Sequence, residues 1–339
     1  MRKTFEVSRL PVSVGFACVL ASAVLAGDLN PPVGVVAPTP GPEPRIVINA
    51  VNTPGDADAT PSMFKITQPG SYYLAGNVMG QSGKIGIEIA SSGVTIDLMG
   101  FELLGVPGSL EGVRATVLSK SVAIRNGSVR SWGGSGVHLG MSSGAQLENI
   151  RSIGNGNHGI NLNSNSTIVG CTATENAQIG IIAGSQVVID RCVSSSNGNE
   201  GILVSTTGVV RSCSIFFNTS HGLEVGSYTV VEGCTVNNNL GDGIRCNAQT
   251  RIVGNVCAVN TNGVGIHLML PANHVENNYV TGNGIGIKNE PGSGSNFIVR
   301  NTARSNTTNY SITGTQTVGP IITATGTIAT TSPFANFEM

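Results

Sequence analysis

The chain has 339 residues, with 18 Lys and Arg against 19 Asp and Glu, a formal net charge of −1 and only 11% charged residues. That balance leaves no basic face for nucleic acid and no acidic tail. Aromatic residues make up 4% with a single Trp, so platforms for stacking sugars are few.

Residues 1–26 read as a secretory signal. Arg2, Lys3 and Arg9 precede an apolar stretch from Val12 to Leu25, and Val24, Leu25 and Ala26 form a small-residue cleavage site before Gly27. The stretch is short for a membrane span, an uncleaved anchor being the alternative. No later stretch could span a bilayer, so the mature chain is expected outside the cytoplasm, secreted, periplasmic or at the cell surface. Residues 27–44, GDLNPPVGVVAPTPGPEP, are a Pro-rich linker without a core. Residues 45–85 carry irregular strand signals and are expected to cap the first coil, whose open strand edges would otherwise invite pairing.

From Gly86 a register begins. GINLNSNSTIVGCTATENAQI, GIIAGSQVVIDRCVSSSNGNE, GILVSTTGVVRSCSIFFNTSH and GLEVGSYTVVEGCTVNNNLGD are consecutive blocks opened by Gly159, Gly180, Gly201 and Gly222. A fixed period without spacers means units that stack directly and share one core. Within each block apolar residues alternate: Ile160 and Leu162, Ile181 and Ala183, Ile202 and Val204, Leu223 and Val225 point one way, and Asn161, Ile182, Leu203 and Glu224 the other. Two more short strand signals follow in each block, separated by Gly, Ser and Asn. No part of a block has the length and period of a helix, and Leu is too scarce at repeated positions for a leucine-rich repeat. The expected fold is all-β, a parallel β-helix of about ten coils over 86–309, opened by Gly86, Gly112, Gly136, Gly159, Gly180, Gly201, Gly222, Gly243, Gly265 and Gly286. Residues 310–339 lose the register and are expected to form a C-terminal cap.

Two interior columns follow from the alignment. One stacks Asn126, Asn149, Cys171, Cys192, Cys213, Cys234, Asn255, Asn277 and Asn301, the other Asn155, Asn176, Asn197, Asn218, Asn239, Asn260, Asn283 and Asn306. Stacked amides bond to the coils above and below. The six cysteines after the signal, with Cys246 and Cys257 completing the set, fit either buried thiols or disulfides between neighbouring coils, the latter strained by parallel Cβ directions.

GSYYLAGNV at 70–78, GVTIDLMGFELLGVPGS at 93–109, the glycine-started coils and the ending SPFANF resemble secreted bacterial right-handed parallel β-helix proteins of the pectin-lyase-like superfamily. The resemblance covers about 62–339 and implies the fold and its handedness. It implies no single activity, since the superfamily holds lyases, hydrolases and non-enzymes.

Candidate chemistry lies in outward columns. Two residues after each opening Gly stand Glu88, Arg114, His138, Asn161, Ile182, Leu203, Glu224, Arg245, His267 and Lys288, and just before it Glu200, His221 and Asp242, with His158 further along. Glu200, His221, Asp242, Arg245, His267 and Lys288 are the candidate catalytic set, because a lyase needs a base for the proton α to a uronate carboxylate and a cation to neutralise that carboxylate. The bland alternative is turn chemistry and cross-strand charge pairing, of which Glu224 beside Arg245 is an example. Glu224, Trp132 and Phe217 are candidate binding residues. No metal or cofactor is expected: a straight thiol column cannot surround zinc, acids too few for calcium occur in the coils, and His267 with Met269 makes no soft-metal site. Two functions remain open, a non-catalytic scaffold that interacts with carbohydrate, and a lyase or hydrolase acting on a uronate-containing polysaccharide.

Overall fold

The computed structural model describes residues 45–323 and 326–339. The signal and linker expected at 1–26 and 27–44 lie outside the described residues. Every regular element described is a strand, and no helix is long and apolar enough to cross a membrane.

The strands stack into three parallel sheets, because each block contributes three short extended runs joined by tight turns. The first sheet takes the run after each opening glycine and climbs twelve rungs, from Ser62–Ile66 through Ile85–Ile89 and Val113–Ala115 to Thr308–Ser311. The second sheet passes through Val94–Asp97, Thr167–Val169 and His274–Glu276, and the third through Glu102–Leu104, Thr172–Thr174 and Tyr279–Thr281. The antiparallel pair Pro54–Asp56 with Ser62–Ile66 closes the N-terminal end, and Asn336–Glu338 closes the third sheet at the other.

Twelve rungs exceed the ten expected. Ser62–Ile66 pairs with Ile85–Ile89, and Thr308–Ser311 with Ile285–Asn289; neither rung follows an opening glycine two residues earlier, so the glycine count misses both. The glycines themselves mark close approach. A Cβ on Gly159, Gly180, Gly201 or Gly222 would lie 2.6, 2.7, 2.6 or 2.9 Å from the carbonyl oxygen of the next glycine along, closer than real Cβ contacts allow.

One column of side chains from each strand fills a dry interior: Ile87, Val113, Val137, Ile160, Ile181, Ile202, Leu223, Ile244, Ile266 and Ile287 are all but inaccessible. The second Asn column is as expected. Each amide of Asn155, Asn176, Asn197, Asn218, Asn239, Asn260 and Asn283 donates from Nδ2 to the next amide oxygen at 2.9–3.1 Å. The first column differs by one residue at both ends. Asn126 and Asn149 stand in turns with φ of 58° and 53°, and Ile150, aligned with Cys171, fills the interior. Beyond Cys234 the ladder runs Asn255, Asn278, Asn301 and Asn336 rather than through Asn277.

The six cysteines are free buried thiols. Cys234 Sγ lies 3.7 Å from the Val210 carbonyl 24 positions earlier, the place where Asn255 Nδ2 donates to Val231 at 3.0 Å. The stacked neighbouring thiol, with burial adding, pushes Cys192 and Cys213 up to about 12, so they are core fillers rather than nucleophiles.

Candidate functional site

The expected outward column is in register on the first sheet. Lys65, Glu88, Arg114, His138, Asn161, Ile182, Leu203, Glu224, Arg245, His267, Lys288 and Ser311 are partners rung by rung. The column before the glycines is also continuous, since Gly180, Gly201 and Gly222 donate to the carbonyls of Glu200, His221 and Asp242 at 2.9–3.0 Å. Alternation turns the first column outward, and the second stands in the turn before each strand, close enough for His221 to reach Arg245.

Asp242, His267, Glu290 and Lys288 form one chain of bonds. Asp242 is 7% exposed and accepts from His267 Nδ1 at 2.7 Å and from the Val264 N–H at 2.8 Å. His267 Nε2 meets Glu290 Oε1 at 2.7 Å, and Lys288 Nζ donates to the same oxygen at 2.5 Å. Both imidazole bonds to carboxylates are made only when both ring nitrogens carry protons. Burial pushes the Asp242 carboxyl up, but the His267 bond and charge and the Val264 N–H outweigh it and hold it below the usual range. Lys288, then His267, hold Glu290 low as well.

His221 and Arg245 are arranged differently. The Asp242 N–H donates to His221 Nδ1 at 2.9 Å, and Arg245 Nη1 lies 2.9 Å from His221 Nε2. A neutral imidazole accepts at one nitrogen only. Arg245 can only donate, so each His221 nitrogen faces an N–H donor while the neutral ring has a single lone pair to share between them. Glu224 is the register partner of Arg245, yet among the described residues it forms no ion pair with it. The charge pairing expected there is absent because Arg245 turns toward His221.

Glu200 accepts from Ser220 Oγ at 2.9 Å and stands one rung from His221. Glu290 was missed by the sequence reading, although it lies two positions after Lys288 and so in the next outward place of the same strand. Trp132 is no binding platform: it is 1% exposed and its indole N–H donates to the Leu103 carbonyl at 3.1 Å. Glycines make room for it, and a Cβ on Gly86 would lie 2.7 Å from its ring. Phe217 is 58% exposed, packed edge-on to Phe216 at 5.6 Å, beside the third sheet and not in the cluster. A recess of about 310 Å³ lined by Gln146, Leu147, Glu148, Thr167 and Val169 lies on the second sheet; with one carboxylate and no base or cation it offers less chemistry than the first-sheet cluster. Among the described residues no group of three or more His, Cys, Asp or Glu could hold a metal ion.

The fold places the chain in a class. It is a right-handed parallel β-helix protein. Residues 112–227 match the family model described as the right-handed beta helix region. The A-module of mannuronan C-5 epimerase AlgE4 from Azotobacter vinelandii is 16% identical over 81% of this chain and 88% of that one, with a TM-score of 0.67. The A-module of AlgE6 from the same organism is 15% identical over 83% and 86%, with 0.63. The Dettilon tailspike protein is 14% identical over 81% of this chain and 60% of that one, with 0.54. These likenesses are of fold. No curated protein matches by sequence.

Proposed function

We propose that this is a carbohydrate-interacting β-helix, acting outside the cytoplasm, that binds an acidic polysaccharide on the outer face of its first sheet. The carrying observation is Arg245, half-buried on that face, which among the described residues pairs with no carboxylate and lies 2.9 Å from His221 Nε2. His221 has one lone pair for two facing donors, so an anionic oxygen that reaches the guanidinium supplies the missing acceptor, and a guanidinium suits a carboxylate. The neighbouring Lys288 and His267 are already taken up by carboxylates, so Arg245 is the cation with capacity to spare. Fold likeness to modules named for mannuronan epimerisation supports a uronate as the acidic sugar.

A second reading is catalytic. His221 is a poor base in this arrangement, because its one lone pair is contested by the Asp242 N–H and the Arg245 guanidinium. Glu200, whose carboxylate accepts from Ser220 Oγ, is the better candidate. It would take the proton α to a uronate carboxylate held by Arg245; the electron pair then expels the linked oxygen, as in a lyase, or the carbon is reprotonated from the other face, as in an epimerase. Titration of the protein with mannuronate and galacturonate oligomers by calorimetry, with ultraviolet absorbance for unsaturated ends and proton NMR for epimerised residues, separates the readings. Binding lost in Arg245→Ala with no product from wild type supports the binding module. Turnover lost in Glu200→Gln with binding kept supports the enzyme. Absence of both binding and turnover across uronate polymers sinks the two together.

A further inference from the structure

The first-sheet face carries a second polar cluster that the reading above does not use. Four rungs toward the N-terminus from Glu224 stands His138, with Arg114 its register partner. Glu111, which the sequence reading overlooked, enters from the column before Gly112. Its two carboxylate oxygens lie 3.4 Å from Arg114 Nη1, and Oε1 lies 3.7 Å from His138 Nδ1. These contacts are long beside the 2.7 Å bonds of the other cluster. His158 is next but one in the same column, and its buried Nδ1 has no hydrogen-bond partner. Burial, then the charge of His138, holds His158 below its usual range. Between the clusters the outward column holds Asn161, Ile182 and Leu203, and Glu200, on the rung of Leu203, marks the edge of the first cluster.

We propose that Glu111, Arg114 and His138 form a second sugar-binding site, and that one extended acidic polysaccharide lies along the first sheet across the saddle of Asn161, Ile182 and Leu203 to reach both clusters. The proposal rests on the binding reading of the His221 and Arg245 site. The loosely paired groups offer what a uronate or its hydroxyls need: Arg114 and His138 donate, while Glu111 accepts. The saddle presents Ile182 and Leu203, half-buried aliphatic side chains, to the C–H faces of intervening sugars. Four rung spacings of roughly 4.8 Å set His138 about 19 Å from the rung of His221, so only an oligomer long enough to cross that gap engages both.

Size-graded mannuronate and galacturonate oligomers, from the disaccharide upward, test this by calorimetry on the full chain. Wild-type affinity is expected to step up about tenfold or more once the oligomer spans the gap, since the second contact becomes intramolecular. Arg114→Ala with His138→Ala is expected to erase the step, bringing long oligomers down to the affinity of short ones. Glu111→Gln, nearly isosteric, is expected to lower the step even if the double variant folds poorly, and circular dichroism reports folding in each case. Binding that does not depend on length, or a step that survives both variants in folded protein, overturns the second site while leaving the first standing. Failure of every oligomer to bind overturns the underlying reading and this proposal with it.

Discussion

His267 shows how a residue of catalytic type can be spent on structure. Its ring is 9% exposed and joins two carboxylates, and the Asp242 carboxyl owes its depressed value, against its burial, first to that bond. An acid held low stabilises the fold at pH above its unfolded value, and the contribution is lost as pH falls through the folded one. His267→Ala leaves Asp242 buried without its main partner, and breaking such a pair costs about 3–5 kcal/mol. Urea midpoints should therefore differ most between the two proteins at neutral pH and converge as pH falls below about 4, the carboxylate range. A gap that widens in acid would contradict this role. Arg245 is the contrasting case. It is half-buried, its polar partner is a ring nitrogen of His221, and Arg245→Ala should leave stability within about 0.5 kcal/mol while lowering uronate affinity more than tenfold in the calorimetric titration with uronate oligomers.

The Asn ladder and the Cys column are one element built twice. Asn218 Nδ2 donates to Asn239 Oδ1 at 2.9 Å, and its own Oδ1 accepts from both the N–H and the Nδ2 of Asn197. Asn218→Ala leaves the buried Asn197 N–H without its acceptor and takes one of two donors from Asn239 Oδ1, which keeps the N–H of residue 218; the orphaned donor costs about 1–3 kcal/mol, and the denaturant midpoint should fall. Cys234→Asn should be neutral or stabilising by the same measurement. Its new Nδ2 would meet the Val210 carbonyl that Sγ already approaches at 3.7 Å, and its Oδ1 would face the Cys213 N–H as Asn255 Oδ1 faces that of Cys234. These ladders were legible in the sequence wherever the period holds at 21. They slipped at Asn126, Asn149 and Asn277 because Asn is at home both in an amide ladder and in a turn of positive φ, and composition does not say which neighbour turns inward. Trp132 misled for a related reason: the pocket that buries it is made by glycines on other rungs, which no local pattern reveals. The outward column two residues after each glycine was readable to the residue, because alternation fixes direction. The two donors facing His221 and the turn of Arg245 away from Glu224 were not, since both depend on hydrogen bonds between rungs.

At the scale of the whole molecule the chain is quasi-one-dimensional, each rung contacting only its neighbours. Residues 159–179 are one complete block: Gly159 and Gly180 are equivalent, Ile160 pairs with Ile181, and Thr167 with Val188. Deleting 159–179 joins His158 to Gly180 and keeps every column in step, with Asn155 then bonding to Asn197. The shortened protein should fold with an unchanged strand signature by circular dichroism and, by small-angle scattering, be shorter by one rung, roughly 4.8 Å. Deleting 159–169 instead removes about half a turn, brings the third-sheet strand Thr172–Thr174 into the first-sheet place and throws inward side chains outward, so it should give insoluble or unfolded protein. If the half-block deletion folded as well as the whole-block one, register would not be what holds the solenoid together. The whole-block deletion also brings the two polar clusters one rung closer without touching either. The oligomer length at which affinity steps up should shorten by the same increment, tying the rung geometry to the ligand.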